Sequence, residues 1–164
     1  MIFLLQAAIL CALFTLIIAK GMKDPIKGIM SYPPAIRRRV ESLPQYKGSI
    51  KQEERSHIGK KLVAVPVFAL VLAGFSWISG ARTFPASFLH VFGLFLAVNL
   101  WDLVVLDWFW FCRSPKFRIP GTEDMDKEYR DLLFHFWGFC KGVGIGAVVS
   151  LLSSGLLALL RAVF

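Results

Sequence analysis

The sequence predicts an all-α polytopic membrane protein: an antiparallel bundle of four transmembrane helices with an interfacial helix on the cytoplasmic side. The 164 residues are 56% hydrophobic and only 18% charged, with a mean hydropathy of +0.61. Soluble domains carry roughly a quarter charged residues. Here the apolar residues form four blocks, each long enough for a helix that crosses a hydrocarbon core of about 30 Å. These blocks cover about residues 2–19, 62–79, 86–112 and 134–160.

We expect residues 1–164 to form a single membrane domain, because the connections 20–61 and 113–133 are too short for separate soluble domains. High hydrophobicity excludes a disordered chain, and only three cysteines exclude a disulfide scaffold. The net charge of +8 lies mostly in the connections, where membrane insertion and anionic headgroups account for it. The bilayer is therefore the expected partner, and nucleic acid is not.

The distribution of basic residues predicts the orientation. Connection 20–61 has eleven Lys and Arg residues and connection 113–133 has five, whereas residues 80–83 contain only Arg82. The positive-inside rule places both long connections in the cytoplasm of a cell or inner membrane, with both termini non-cytoplasmic. The first block has no basic segment before it and no small-residue cleavage site before Lys20, so we expect a retained helix.

The first connection predicts two helices. Prolines precede residues 35–43, where Ile36, Val40 and Leu43 share one face and arginines occupy the others. This pattern is typical of a helix in the headgroup region, and a helix packed on the cytoplasmic mouth of the bundle is the alternative. Ser49 and Gln52 have capping-box spacing, which predicts a second helix that continues into the membrane.

The third connection predicts the start of the last helix. Pro120 and Gly121 indicate a turn, and Thr122 can cap a helix whose first turn is acidic. We expect this helix to begin near Glu123 and to run without a break into the bilayer.

Every fourth residue of the last block is small. Residues four apart lie along one ridge of a helix, so this pattern allows another backbone to approach closely. The ridge fits a homo-oligomer, a membrane partner or a pore-lining face, and intramolecular packing is the alternative. We call the following residues the small-residue ridge: Gly138, Gly142, Gly146, Ser150 and Ser154.

The third block places polar side chains at membrane depth. Asn99 lies near the midplane, and Asp102, on the same helix face, lies one turn nearer the cytoplasm. An unpaired carboxylate is costly there, so Asp102 is predicted to be protonated, hydrogen-bonded or hydrated. Asn99 and Ser150 are its expected hydrogen-bonding neighbours, and Trp101 lies beside it in sequence. Asp102 is a candidate proton carrier or cation ligand, and a neutral Asp that joins helices is the alternative.

Asp107 lies near the cytoplasmic end of the same block. Three lysines are within plausible reach, and an interfacial ion pair is its expected role. These lysines are Lys60, Lys61 and Lys141.

Carboxylates and imidazoles recur at helical spacing near the cytoplasmic face. Such groups can hold a divalent metal, although a solvated charged face is the ordinary explanation and a second E-x-x-H pair is missing. The candidate metal ligands are Glu54, His57, Glu128, Asp131 and His135. Nucleotide-binding and common hydrolase motifs are absent from the sequence, so it predicts no particular cofactor.

Three functions are compatible with these patterns. The first is binding or transport of a small solute or ion, with Asp102 as the protonatable group. The second is an enzyme acting on a lipid or isoprenoid at the cytoplasmic face, using Asp107, Asp131, His135 and His57, with or without a metal. The third is a non-catalytic subunit that docks a larger complex through the small-residue ridge.

Overall fold

The computed structural model describes residues 1–21, 24 and 26–163, without the side chains of residues 57, 58 and 60–62, and these residues form helices joined by turns and irregular segments. No strand occurs in these residues. The helices are α1 (Ile2–Gly21), α2 (Pro34–Ser42), α3 (Ser49–Ile78), α4 (Phe84–Trp101), α5 (Asp126–Tyr129) and α6 (Leu132–Val163). A π-helical segment, Asp102–Phe111, continues α4, and 3₁₀ turns occupy Ile29–Ser31, Pro44–Tyr46 and Pro115–Phe117.

Three stretches are long and apolar enough to cross a membrane. They are Ile2–Gly21, Phe84–Phe111 and Asp126–Val163. These stretches coincide with the first, third and fourth predicted spans and have the length and composition that a span needs. In α3 the apolar stretch is shorter, Val63–Ile78, so a fourth span stays a prediction.

Helix α4 is the packing centre of the long helices. It contacts α1, α3 and α6, and α3 also packs on α6. Their apolar faces form one buried core, whose fully or nearly buried members are Leu10, Ala69, Leu72, Val91, Leu94, Val98 and Val149.

The first and third connections pack together into a second core, which we call the cap. It closes over the end of the π-helical segment through Phe111 and Cys112. Ile36 and Val40 are fully buried there, so the apolar stripe of α2 faces protein and not headgroups. The other buried members are Ile29, Tyr32, Phe117, Ile119 and Tyr129.

Two predicted helix caps are wrong, although α3 begins at Ser49, as expected. Gly48, at φ +82°, precedes α3, and the Ser49 hydroxyl donates to the Tyr46 carbonyl at 2.6 Å instead of capping the helix. Thr122 is buried in the cap, where its hydroxyl donates to the Ile119 carbonyl at 2.7 Å. The chain therefore forms only the single turn of α5 before α6. The carboxylate of Asp131, which accepts the Phe134 N–H at 2.9 Å, caps α6.

Candidate functional site

The π-helical segment brings together side chains that an α-helix would separate. In an α-helix, residues five apart point about 140° away from each other. Wider i→i+5 turns instead bring them to nearly the same face, and the Cys112 N–H donates to the Asp107 carbonyl at 2.9 Å in this way. Asp102, Asp107 and Cys112 follow each other at intervals of five. One face of the segment therefore presents two carboxylates and a thiol toward α6.

His135 of α6 meets this face. Its Nδ1 lies 3.1 Å from Oδ2 of Asp107, and its side chain is only 3% exposed. Phe111 contacts the ring edge-on, with centroids 5.2 Å apart. Asp107 therefore fixes the orientation of the imidazole. We call Asp102, Asp107, Cys112 and His135 the cap-end cluster.

The second nitrogen of His135 is buried and has no completed hydrogen bond within the part of the chain that is described. The Cys112 thiol lies beside the same ring, close enough to interact with it. Buried polar atoms without a partner are rare and costly in folded proteins. Nε2 is consequently the one ring position available to take or give a proton.

Asp102 is half-buried and lies near enough to Asp107 and His135 for their charges to act on it. It has neither a hydrogen bond nor an ion pair within the described residues. The acid at membrane depth therefore adjoins a histidine but is not bonded to it.

An open cleft of about 430 Å³ adjoins the cap-end cluster. Two arginines and a tryptophan belong to its wall, and the Trp108 indole donates to the Leu132 carbonyl at 3.3 Å. Cys112 is both 2% exposed and part of this wall. The cleft is lined by Trp108, Cys112, Arg113, Arg130 and Leu132. Its cationic rim lies just beyond the end of the span.

Three of the side chains predicted to accompany Asp102 have other partners. The Asn99 amide donates to the Phe139 carbonyl at 3.0 Å. Trp101, 39% exposed, donates to Thr15 of α1 at 3.0 Å, and buried Ser150 donates to the Gly146 carbonyl at 2.7 Å. Each of these bonds satisfies a polar group at a helix contact, so none of the three residues hydrogen-bonds to Asp102.

The expected ion pair of Asp107 is also corrected in part. His135 takes the place anticipated for Lys141, which is exposed on α6. His135 forms the pair because α6 begins at Leu132, which places residue 135 in the first turn of the helix, opposite Asp107. The side chains of Lys60 and Lys61 lie outside the described residues.

The candidate metal ligands do not converge. In the described residues no three His, Cys, Asp or Glu side chains are placed to hold a metal ion. Glu54 is exposed, Asp131 caps α6 and His135 binds Asp107. Glu128 is half-buried in α5, the single turn that ends before α6 begins. The side chain of His57 lies outside the described residues.

The small-residue ridge packs mostly inside the chain. A Cβ on Gly146 would lie 2.6 Å from the Phe95 ring, and one on Gly142 would overlap the Asn99 amide. Ser150 and Ser154 are fully buried, whereas Gly138 has open space around it. Close approach of α4 therefore explains Gly142 and Gly146, and burial inside the chain accounts for Ser150 and Ser154.

A second polar cluster, not anticipated from the sequence, joins α1, α3 and α4 at the other end of α4. His90 Nε2 lies 2.8 Å from Oε1 of Gln6 and 3.1 Å from the Ser79 hydroxyl. The Gln6 amide donates to the Phe75 carbonyl at 3.1 Å. We call Gln6, Ser79 and His90 the loop-end cluster. It contains one imidazole with two polar partners on neighbouring helices.

Comparison with protein-family models, curated proteins and solved structures found no match for this chain.

Proposed function

We propose that residues 1–164 form one membrane domain in which α3 is a fourth span and the cap lies in the cytoplasm, with both termini on the opposite side. The apolar half of α3 packs on α4 and α6, two of the three other helices that line the shared core. A short span of this kind is accommodated by local thinning of the bilayer or by snorkelling of its flanking basic residues. The eleven and five basic residues of the long connections support the orientation.

Within this domain, the chemistry proposed is that of an enzyme acting on a lipid at the cap-end membrane face. The observation that carries this proposal is the His135–Asp107 pair, in which the carboxylate holds Nδ1 and leaves a buried Nε2 without a completed bond. A histidine oriented by a carboxylate is a common general acid–base device. The adjoining cleft opens at the level where lipid headgroups meet the protein.

The test measures conversion of lipids by the full-length protein. Wild type is reconstituted into vesicles of phosphatidylglycerol and phosphatidylethanolamine that contain a polyprenyl phosphate, and lipids are quantified by mass spectrometry over time. We expect one lipid to be converted. His135→Gln is expected to lower the rate about 10²- to 10⁴-fold, the usual contribution of a general acid or base. Asp107→Asn, which removes the orienting charge, is expected to lower it as well.

His90→Gln is the matched control, because it alters the other described transmembrane imidazole while retaining an N–H donor for Gln6. It is expected to keep most of the wild-type rate. Failure of the wild type to convert any of the three lipids contradicts the proposal, as does a His135→Gln variant with the wild-type rate.

Asp102 supports a second candidate function, movement of protons or a small cation. Its half-buried carboxyl has no bonded partner in the described structure, which is unusual for an acid at membrane depth. In vesicles that enclose a pH-sensitive dye, an imposed potential is expected to drive proton uptake through wild type and not through Asp102→Asn. Equal uptake by both proteins, or no uptake by wild type, contradicts this candidate, and lipid conversion by Asp102→Asn is expected to persist.

A further inference from the structure

We propose that Cys112 is the nucleophile of a Cys112–His135–Asp107 triad that removes an ester-linked acyl chain from a phospholipid, whose phosphate is bound by Arg113 and Arg130. This inference deepens the proposed function and rests on it, since it names the reaction and the substrate class of the same site.

The arrangement has the three parts that an activated thiol needs. A carboxylate 3.1 Å from Nδ1 orients the imidazole of His135. The ring of Phe111 contacts this imidazole, which brings the next residue, Cys112, close enough for its thiol to interact with the same ring. The open Nε2 of His135 is the position left for the thiol proton. Hydrogen bonds between nucleophile and base are commonly loose before substrate binds.

Cys112 is also placed where a lipid ester can reach it. Its side chain belongs to the wall of the cleft at the end of the span, next to Trp108 and Leu132. Aromatic and apolar walls at this depth suit the upper part of an acyl chain. Cys11 and Cys140, both partly buried, do not belong to this cleft wall.

The two arginines select a phosphate-bearing lipid. Arg113 and Arg130 are exposed at the cleft, and neither has an ion-pair partner in the described part of the chain. Arg113 is positioned by its guanidinium over the Phe109 ring, at 5.3 Å. Guanidinium groups bind phosphate oxygens through paired N–H donors. A headgroup phosphate held there leaves its acyl esters at the depth of Cys112.

The reaction balances with water as the second substrate. The thiol proton passes to His135 while sulfur attacks the ester carbonyl carbon, a C–S bond forms and the ester C–O bond breaks. The departing lysophospholipid oxygen takes the proton from His135. Water, deprotonated by His135, then attacks the thioester, which releases the fatty acid and restores the thiol.

The first measurement is the rate of fatty-acid release from phosphatidylglycerol with isotope-labelled acyl chains, in vesicles that contain full-length protein. Cys112→Ala is expected to lower the rate at least as much as His135→Gln, while Cys140→Ala, the matched control, keeps the wild-type rate. Intact-mass analysis after acid quenching is expected to show a labelled acyl adduct on wild type and Cys140→Ala that hydroxylamine removes.

The phosphate contacts are tested with Arg113→Gln and Arg130→Gln. Each is expected to raise the half-saturating mole fraction of phosphatidylglycerol severalfold and to leave release from diacylglycerol, which has no phosphate, unchanged. Inorganic phosphate in the buffer is expected to compete weakly, since it lacks the acyl chains. Arg38→Gln, at an exposed cap arginine, serves as the control and is expected to match wild type.

The two proposals fail separately. Fatty-acid release by Cys112→Ala at the wild-type rate, with loss in His135→Gln, overturns the nucleophile and leaves the acid–base function standing. Conversion of the polyprenyl phosphate alone, with no fatty-acid release from a phospholipid, also overturns the nucleophile and leaves the acid–base function standing. Unchanged lipid conversion in His135→Gln overturns both.

Discussion

The two ends of α4 each have a histidine among polar neighbours, but among the described residues only the cap end leaves a buried ring nitrogen without a hydrogen-bond partner. At the loop end, His90 Nε2 meets both Gln6 and Ser79, and the hydrogen bonds link three helices. At the cap end, His135 is bound through Nδ1, and its buried Nε2 has no completed hydrogen bond in the described residues. Satisfied networks rigidify a core, whereas an unsatisfied buried group is a cost that function commonly explains. The comparison assigns stability to the loop-end cluster and chemistry to the cap-end cluster.

The largest stability effect is expected when the two histidines are each replaced by leucine. His90→Leu removes the two hydrogen bonds that Nε2 forms with Gln6 and Ser79, at about 0.5–1.5 kcal/mol for each bond. The Ser79 hydroxyl keeps its bonds to Gln6 Oε1 and to the Phe75 carbonyl. His135→Leu removes the unpartnered Nε2 and leaves Asp107, whose side chain is 25% exposed and keeps some access to solvent. We therefore expect the smaller loss at residue 135.

Chemical unfolding of both variants in one detergent measures this difference in the free energy of unfolding. A His135→Leu variant that is destabilised as strongly as His90→Leu contradicts the division of roles between the two clusters.

The second prediction concerns the contact between α4 and α6 at Gly142, which lies between the two clusters along α4. Gly142→Leu forces a side chain into the Asn99 amide and is expected to destabilise the protein by about 1–3 kcal/mol, as overpacking usually does. Gly138→Leu, on the same ridge but with open space around it, is the matched control. Chemical unfolding in detergent measures the loss of unfolding free energy in each variant. Equal losses would show that the close contact between α4 and α6 at Gly142 does not limit the size of the side chain there.

The Gly138→Leu variant also tests the oligomer expected from the small-residue ridge. Gly142 and Gly146 already pack against α4, and Ser150 and Ser154 are buried, so Gly138 is the ridge residue with open space for a partner chain. Chemical crosslinking in native membranes is expected to give the same pattern for wild type and Gly138→Leu. Loss of a crosslinked dimer in that variant would show a contact between copies through this residue.

Sequence patterns predicted the membrane class because it depends on the length and polarity of whole segments. The packing of the cap was harder to predict from sequence. The positions of Ile36 and Val40 predict one apolar face of α2, but periodicity alone does not show whether that face contacts lipid headgroups or a protein core. The sequence pattern predicts that Thr122 and Ser49 each cap a helix, but both hydroxyls instead donate to the carbonyl three residues earlier. Local motifs of this kind are decided by tertiary contacts that a short window does not contain.

The candidate site was recovered only in part for a related reason. Asp102, Asp107 and His135 were singled out by charge and depth, but α-helical spacing paired Asp102 with Asn99. The structure replaces that spacing with π-helical turns, which bring Asp107 and Cys112 to one face. The five-residue interval from Asp102 to Asp107 to Cys112 was the available signal. This interval places the side chains on one face only in a π-helical segment, and no amino-acid preference in the sequence predicts where such a segment forms.

The third prediction tests how completely the cap excludes water at Tyr32. Burial, and next the neighbouring Tyr129, raise the pKa of the Tyr32 phenol, with Arg118 opposing them. An unfolded tyrosine loses its proton near pH 10, while the folded one retains it to higher pH, so stability is complete below about pH 10 and falls above it. The slope contributed by one such group is about 1.4 kcal/mol per pH unit.

Tyr32→Phe is expected to remove that contribution from the alkaline limb of stability against pH. Identical alkaline limbs for wild type and Tyr32→Phe contradict the dry cap core.

The smallest effect is expected at the surface of the cap, where Arg39 pairs with Asp124 at 3.3 Å. The two side chains are 47% and 68% exposed, so water and salt screen the attraction. Asp124→Asn is expected to cost about 0.2–1 kcal/mol at low salt and nothing measurable at about 1 M salt. Glu54→Gln, at an exposed acid on α3, is the control for the change in net charge. A salt-independent loss larger than that of the His135→Leu variant would mean that the surface of the cap, and not its buried core, holds the first and third connections together.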